Sequence, residues 1–130
     1  MSTYTQRERI EKHLQEIYGT EAEHLWLKYP NYSVFRHPAS QKWYAIIMDI
    51  PKNKLGFNED EIVNVLDIKC DPIMIGSLLS EKGFLPAYHM NKGTWISILL
   101  DETVSDEQIL PLLELSYDSV TPKRKNKDNR

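Results

Sequence analysis

Residues 42–70 read KWYAIIMDI, then PKNKLGFNED, then EIVNVLDIKC, so that two apolar stretches flank a polar one. The first stretch, residues 42–50, is rich in β-branched and aromatic residues and is closed by Pro51, which is typical of a β-strand. The second, residues 61–70, carries apolar side chains at both alternating sets of positions, and we therefore expect both of its faces to be largely buried. The polar residues between them predict a protruding loop and an antiparallel pair.

The segments upstream of this pair predict a helix and one more strand. TQRE at residues 5–8 matches a capping box, and apolar residues follow at helical spacing, so we expect a first helix over residues 5–18. The segment Thr20–Pro30 has no regular period, and its aromatic side chains are expected to pack on the sheet. A short strand is predicted at Tyr32–His37, which two prolines bound.

Two further helices are predicted downstream. Asp-Pro at residues 71–72 has the composition of a helix start, with the aspartate as N-cap and the proline at the first helical position, and Gly83 should end this helix. SDEQ at residues 105–108 is another capping box and begins the third helix. Pro111 lies inside that helix, so we expect either a kink or a regular part that begins near Leu110.

Between these helices the sequence predicts a β-hairpin. Phe84–Met90 and Trp95–Asp101 are strand-like, and Asn91–Gly93 has the residue types of a tight turn. Tyr88 and Trp95 would then face each other as a cross-strand pair that covers the core.

The predicted element order is α-β-β-β-α-β-β-α. Short connections favour antiparallel pairing, so the fold class is α+β, a two-layer sandwich in which an antiparallel five-stranded sheet has its helices mainly on one face. Residues 1–120 should form one domain, and residues 121–130 a basic, disordered tail. The predicted core consists of large apolar side chains in the apolar phase of their elements, namely Trp43, Ile47, Val65, Leu78, Leu79, Ile98, Leu113 and Tyr117.

Charge is divided unevenly along the chain. The first 120 residues contain eleven Lys and Arg against eighteen Asp and Glu, a net charge of −7, whereas TPKRKNKDNR at residues 121–130 carries +4. Domains that hold the phosphate backbone normally present a basic face. If duplex DNA is the ligand, we therefore expect weak, non-specific binding that is lost steeply with salt.

Composition narrows the class of protein. The 130 residues are 41% hydrophobic and 27% charged, without an apolar run of membrane-spanning length or an export signal, and Cys70 is the single cysteine. These features predict a cytoplasmic protein without a membrane partner. The histidines lack metal-ligand spacing, and neither a glycine-rich phosphate loop nor a nucleophile motif occurs. We expect no enzyme activity, no metal and no cofactor.

Five motifs together resemble the MmcQ/YjbR family over about residues 5–120. They are Trp26 with Pro30, Lys42-Trp43, Lys69-Cys70-Asp71-Pro72, the run Tyr88-His89-Met90-Asn91-Lys92-Gly93-Thr94-Trp95, and Ser116-Tyr117. The run at residues 88–95 is the specific part of the resemblance, because the shorter motifs are common in unrelated chains.

The resemblance implies a fold similar to the secretion-chaperone-like α+β sandwich. Members of this family are commonly described as DNA-binding, with two β-hairpins acting as wings, and the corresponding loops here are Pro51–Asp60 and Asn91–Thr94. The function implied is a double-wing DNA-binding protein of unknown specific role. The alternatives are a binding domain for a small anionic ligand, and a chaperone-like protein-interaction domain with a protein partner. We expect a monomer.

The candidate ligand-binding or nucleic-acid-binding residues are lysines and the polar and aromatic residues of the predicted hairpin: Lys42, Lys69, Tyr88, His89, Asn91, Lys92 and Trp95. The aromatic residues could stack on a base while lysine reaches a phosphate. A lysine before a helix start, at position 69, could join an anion site with Lys42 or Lys92. The structural alternatives are that Asn91–Gly93 only makes the turn and that Lys69 only reaches solvent. Cys70 beside the helix start is either an activated thiol or a small buried side chain.

Overall fold

A computed structural model describes residues 4–123, which form three α-helices and a five-stranded antiparallel sheet, so the predicted fold class is confirmed. In chain order the elements are α1 (Gln6–Tyr18), β1 (Ser33–Arg36), β2 (Trp43–Pro51), a short 3-10 helix (Lys52–Leu55), β3 (Ile62–Lys69), α2 (Pro72–Leu78), β4 (Phe84–Pro86), β5 (Trp95–Leu99) and α3 (Asp106–Ser119). Most of the predicted basic tail, residues 124–130, lies outside the described residues. Among the described residues no helix is both long and apolar enough to cross a membrane.

Strand β3 is the centre of the sheet, whose order is β1-β2-β3-β5-β4. Its Leu66 stands opposite Ile47 of β2 on one side and Ile98 of β5 on the other. Strand β2 has one extra residue, Tyr44, where the register to β1 shifts. This bulge turns Tyr44 to one face of the sheet and leaves Trp43 on the opposite face.

All three helices pack on one face of the sheet, as the sequence predicts. Ile10 and Leu14 of α1, Ile75 of α2, and Ile109 and Leu113 of α3 are buried in one cluster. Their partners are strand residues of the same face: Phe35, Tyr44, Ile47, Leu66, Ile68, Phe84, Ile96 and Ile98. Full burial of each such side chain contributes roughly 1.5–3 kcal/mol, so this layer supplies much of the stability.

The opposite face of the sheet is equally apolar, but none of the three α-helices packs on it. Its buried strand residues are Val34, Ile46, Met48, Ile50, Val63, Val65, Trp95 and Leu99. Three connections cover them, named here loop 20–32, loop 52–61 and loop 87–94 after their residue numbers. Side chains from each loop pack on this cluster: Trp26 and Tyr32, Leu55 and Phe57, and Tyr88 and Met90.

The predicted helix caps are present. Thr5 accepts a hydrogen bond from the Glu8 amide (3.2 Å) while the Glu8 carboxylate accepts one from the Thr5 amide (2.8 Å). Ser105 caps α3 in the same reciprocal way. Helix α3 runs unbroken through Pro111, so the alternative of a regular part that begins near Leu110 is wrong. Pro111 is exposed, and water can reach the carbonyl that its missing N–H leaves without a partner.

Four of the eight predicted core residues, Ile47, Val65, Ile98 and Leu113, are buried. Three more, Trp43, Leu78 and Tyr117, are partly buried against the two clusters. The prediction for Leu79 is wrong, because its side chain is 39% exposed. Helix α2 ends at Leu78, earlier than predicted, and the turns that follow it direct Leu79 away from the sheet.

The predicted hairpin has a much longer connection than expected. Strand β4 ends at Pro86, because proline has no amide hydrogen to continue the ladder. Eight residues, Ala87–Thr94, therefore join β4 to β5 in place of the predicted three-residue turn. Tyr88 does not pair with Trp95, whose partner across the sheet is Lys69.

Gly83 provides a test of the packing beneath α3. Its φ is +93°, and a Cβ built there meets the Val104 side chain, so Gly83→Ala adds both backbone strain and overlap. We expect it to lower the free energy of unfolding by roughly 2–3 kcal/mol, measured by urea denaturation.

Gly76→Ala is the matched control, because Gly76 lies inside α2 and a Cβ there meets nothing within 4 Å. We expect this variant to be unchanged or more stable by up to about 1 kcal/mol. Equal effects of the two substitutions would contradict the packing described at Gly83.

Candidate functional site

The side of the sheet covered by loops carries two cavities that share a lining residue. Loop 20–32 is attached beside β1, where Glu23 and Val34 exchange two backbone hydrogen bonds of 2.9 Å. Loop 52–61 begins with the short 3-10 helix and returns to β3 at Ile62. Loop 87–94 lies between them and contributes to both cavities.

Loop 87–94 is held by local polar contacts. The Tyr88 amide donates to the Ser97 hydroxyl (2.9 Å), which takes the place of the ladder that stops at Pro86. Asn91 makes the predicted turn: its side-chain oxygen accepts from the Gly93 amide (2.7 Å), and its carbonyl accepts from the Trp95 amide (2.9 Å). These contacts fix the ends of the loop and leave its middle exposed to solvent.

His89 has a left-handed backbone in the middle of this loop. Its φ is +66°, a conformation that few residues other than glycine adopt, and its ring centroid lies 4.0 Å from that of Tyr88. Such conformations cluster at binding and catalytic sites. His89 lines both cavities and forms the wall between them.

The first cavity, the basic cleft, has a volume of about 460 Å³ and lies between loops 52–61 and 87–94. Its lining residues are Lys54, Leu55, Leu85, Pro86, Ala87, Tyr88, His89 and Lys92. No carboxylate is among them, and within residues 4–123 neither Lys54 nor Lys92 has an ion-pair partner. The cleft therefore presents two lysines that have no ion-pair partner among the described residues, with the imidazole of His89 beside them.

Lys52, on the same loop as Lys54, does have ion-pair partners. Its ammonium lies 3.6 Å from Glu59 and 3.9 Å from Glu61, and also over the Phe57 ring. Lys52 is therefore neutralised by carboxylates of its own loop, whereas Lys54 lines the cleft without an ion-pair partner among residues 4–123.

The second cavity, the aromatic cavity, has a volume of about 290 Å³. Its lining residues are Trp26, Tyr29, Tyr32, Trp43, Ile46, Met48, His89 and Met90. The Trp26 ring stands edge-on to Trp43 (centroids 6.0 Å apart) and to Tyr32 (5.9 Å), and Tyr29 stacks on Tyr32 at 4.8 Å. The Arg36 guanidinium, paired with Glu23 at 2.9 Å, lies over Trp43 and holds that ring in place.

Asp67 is the unusual group beneath the two cavities. It is completely buried on β3, where its Oδ1 accepts a hydrogen bond of 2.5 Å from Ser97, and its Oδ2 has no partner. Burial raises the pKa of Asp67 to about 7, although the Ser97 hydrogen bond and the Lys92 charge both act to lower it. Through Ser97, this carboxyl is linked to the backbone of loop 87–94.

The predicted anion site at the start of α2 lies in a groove on the helix side of the sheet, away from both cavities. Lys69, Cys70 and Asp71 line a groove of about 580 Å³ between α2 and α3 whose remaining walls are mainly apolar. Asp71 already caps the first turn through the Ile73 amide (2.8 Å). Burial raises the pKa of the Cys70 thiol, which disfavours the thiolate that an activated nucleophile requires.

The structure divides the seven predicted site residues among four locations. Tyr88, His89 and Lys92 line the basic cleft, and Asn91 forms the turn beside it. Lys69 lines the groove on the helix side, Lys42 is exposed before β2, and Trp95 is buried in the sheet. Site residues that the sequence analysis missed are Lys54 and the rings at Trp26, Tyr29, Tyr32 and Trp43. The irregular, aromatic composition of loop 20–32 was the available signal.

Within residues 4–123 no group of three or more His, Cys, Asp or Glu side chains is arranged to hold a metal ion.

The sequence matches one protein family and a relative of similar length. The YjbR family model matches residues 15–119. The uncharacterized protein YyaQ of Bacillus subtilis (strain 168) is 41% identical over 111 residues, which are 85% of this chain and 94% of that protein.

Solved structures agree with this match. A crystal structure of a Pseudomonas syringae protein has 43% identity and a TM-score of 0.85, and covers 88% of this chain and 97% of its own. A Deinococcus radiodurans protein, described with a DUF419 domain, has a TM-score of 0.68 at 23% identity, over 93% of this chain and 82% of its own, and thus shares the fold.

Asp67 predicts an unusual pH dependence of stability. Its pKa of about 7 in the folded protein exceeds the ordinary aspartate value of 3.8, so the unfolded state ionises first as the pH rises. The free energy of unfolding should therefore fall between about pH 4 and pH 7, by up to about 4 kcal/mol from this group alone.

Asp67→Asn should remove this dependence, because the amide keeps the shape without the charge. We expect urea denaturation to give similar stabilities for the two proteins near pH 4.5, and a more stable variant at pH 8. A variant that is less stable than the parent at pH 8 would show that the buried carboxylate is stabilised by a contact not described above.

Proposed function

The chain belongs to the YjbR family, and from the geometry of the side of its sheet covered by loops we propose that it is a binding module for a small anionic ligand, without a catalytic step. The observation that carries this proposal is the basic cleft, in which Lys54, His89 and Lys92 meet without a carboxylate among the lining residues. Two ammonium groups and an imidazole are suited to one phosphate or carboxylate group.

The size of the ligand follows from the charges around the cleft. Glu59, Asp60 and Glu61 lie together on the outer side of loop 52–61, a few residues from Lys54. Lys52 pairs with Glu59 and Glu61 but cannot neutralise all three carboxylates, so a long polyanion that crossed this loop would still meet net negative charge. A compact anion can enter the cleft without approaching them. The acidic balance of the whole body acts in the same direction.

DNA binding is the second candidate, and one observation favours it. The two loops that the family resemblance makes wings, Pro51–Asp60 and Asn91–Thr94, contribute Lys54 and Lys92 to the walls of one cleft. With only these two lysines on phosphates, the logarithm of the affinity should change with the logarithm of the salt concentration with a slope of about −2. The basic tail at residues 121–130 would have to supply the remaining contacts.

The test of the first proposal is an NMR titration of the isotope-labelled full chain with inorganic phosphate and pyrophosphate. We expect saturable shifts of the backbone amides of Lys54 and of residues in loop 87–94. The double substitution Lys54→Gln with Lys92→Gln should weaken pyrophosphate binding at least about tenfold, because charged hydrogen bonds contribute roughly 1.5–3 kcal/mol each.

A matched control removes the same charge elsewhere. Lys28 and Lys82 are exposed and do not line the cleft, so Lys28→Gln with Lys82→Gln should leave the affinity within about twofold. Equal losses in the two double variants, or shifts that do not saturate, would refute a site at the cleft.

A duplex oligonucleotide titration at low and moderate salt distinguishes the second candidate. We expect weak binding that falls when Lys123, Arg124, Lys125, Lys127 and Arg130 are all replaced by Gln. Tight duplex binding that survives in this variant and is lost in the Lys54→Gln, Lys92→Gln protein would favour DNA over a small anion.

A further inference from the structure

We infer that the anionic ligand also carries a planar aromatic ring, which occupies the aromatic cavity, so that the ligand class fitting both cavities is a nucleotide: a base joined to a phosphate through a sugar. This inference rests on the proposed function, since the phosphate would occupy the basic cleft. It goes further because it assigns a role to a cavity that contains neither lysine nor arginine.

The first argument is the composition and size of the aromatic cavity. Four of its eight lining residues are tryptophan or tyrosine, and Trp26 and Trp43 are only partly buried. Aromatic walls favour a flat ring, since stacking and edge contacts both depend on planar surfaces. A volume of about 290 Å³ is at the lower end of the range of roughly 300–1,000 Å³ for ligand pockets, and suits one ring system better than a larger molecule.

The second argument is a set of hydrogen-bond donors that the protein does not use. Within residues 4–123 the indole N–H groups of Trp26 and Trp43 and the hydroxyls of Tyr29 and Tyr32 make no hydrogen bond. Burial raises the pKa of Tyr32 to about 12, so its hydroxyl stays protonated and can donate near neutral pH. None of these donors is buried without a partner, so each is open to solvent. A heteroaromatic ring with nitrogen and carbonyl acceptors could replace the solvent at those that it covers, whereas a purely apolar group would leave the covered donors unpaired.

The third argument is that the two cavities share a lining residue. His89 lines both of them, so a ring in the aromatic cavity and an anionic group in the basic cleft would lie on either side of the same side chain. A nucleotide has its base and its phosphate on opposite sides of the sugar, which is the arrangement that two neighbouring cavities require.

Isothermal titration of the full chain with a small panel tests the inference. The probes are AMP and UMP, which have ring and phosphate; ribose 5-phosphate, which has no ring; adenosine, which has no phosphate; and inorganic phosphate. We expect AMP to bind at least about tenfold more tightly than ribose 5-phosphate, from base stacking worth roughly 1–3 kcal/mol. A single-stranded hexanucleotide shows whether the nucleotide is recognised free or within a strand.

Substitutions separate the two cavities. Tyr29→Ala removes a ring that is 43% exposed on loop 20–32, so it should leave the fold intact. It should weaken AMP binding several-fold while the affinity for ribose 5-phosphate stays the same. Trp43→Leu should have a larger effect of the same kind, and Tyr4→Ala, in an exposed ring that lines neither cavity, should have none.

The outcomes distinguish this inference from the proposed function. Equal affinities for AMP and ribose 5-phosphate would overturn the aromatic cavity as a ring site and leave the anion site standing. Failure of every phosphate compound to bind would overturn both. Adenosine binding as tightly as AMP, with no phosphate binding, would reject the anion function and with it the nucleotide.

Discussion

Strands β2, β3 and β5 are buried on both faces of the sheet, but all three α-helices pack on the same face. The other face must be covered by other segments, and the arrangement of the rest of the chain follows from this requirement. Val63 and Val65 of β3 face away from the helices, and their burial requires another layer. The chain supplies it from three loops that would otherwise extend into solvent. The three long loops therefore contribute to the core by covering this face. The basic cleft and the aromatic cavity lie between neighbouring loops.

A buried carboxyl holds one of these loops in place. Asp67 and Ser97 stand opposite each other on neighbouring strands, and Ser97 also accepts the Tyr88 amide. A carboxyl without a partner for its second oxygen is destabilising in an apolar layer, and the raised pKa of Asp67 expresses that penalty. Helix-side polar contacts are better satisfied: Ser116 donates to the Tyr44 carbonyl (2.6 Å) and accepts from the Lys69 amide (3.0 Å).

The fold and its loops do not by themselves assign a nucleic-acid role. The lysines of these loops differ in their ion pairs. Lys52 is paired with two glutamates, while Lys54 and Lys92 have no ion-pair partner among the described residues. What the loops form is a compact basic cleft beside an aromatic cavity. That combination is suited to a small ligand with separate charged and planar parts, more than to a continuous polyanion.

Local chemistry in the sequence was sufficient to predict the helix starts at Thr5 and Ser105 and the α+β architecture. It also predicted a strand apolar on both faces at residues 61–70, which the structure has at Ile62–Lys69. These features depend on neighbours within a few residues, so pattern and capping predict them. Pro86 also has a local signal, because it has no amide hydrogen and therefore ends β4. The course of the loop that follows depends on a tertiary contact, the hydrogen bond from the Tyr88 amide to Ser97. Only the tertiary structure decided which lysines are paired with carboxylates and that burial raises the pKa of Cys70. It also decided that the rings of loop 20–32 line one cavity together with His89. Charge pairing, burial and cavity walls are made by residues distant in the chain, and their distances are set by packing rather than by sequence spacing.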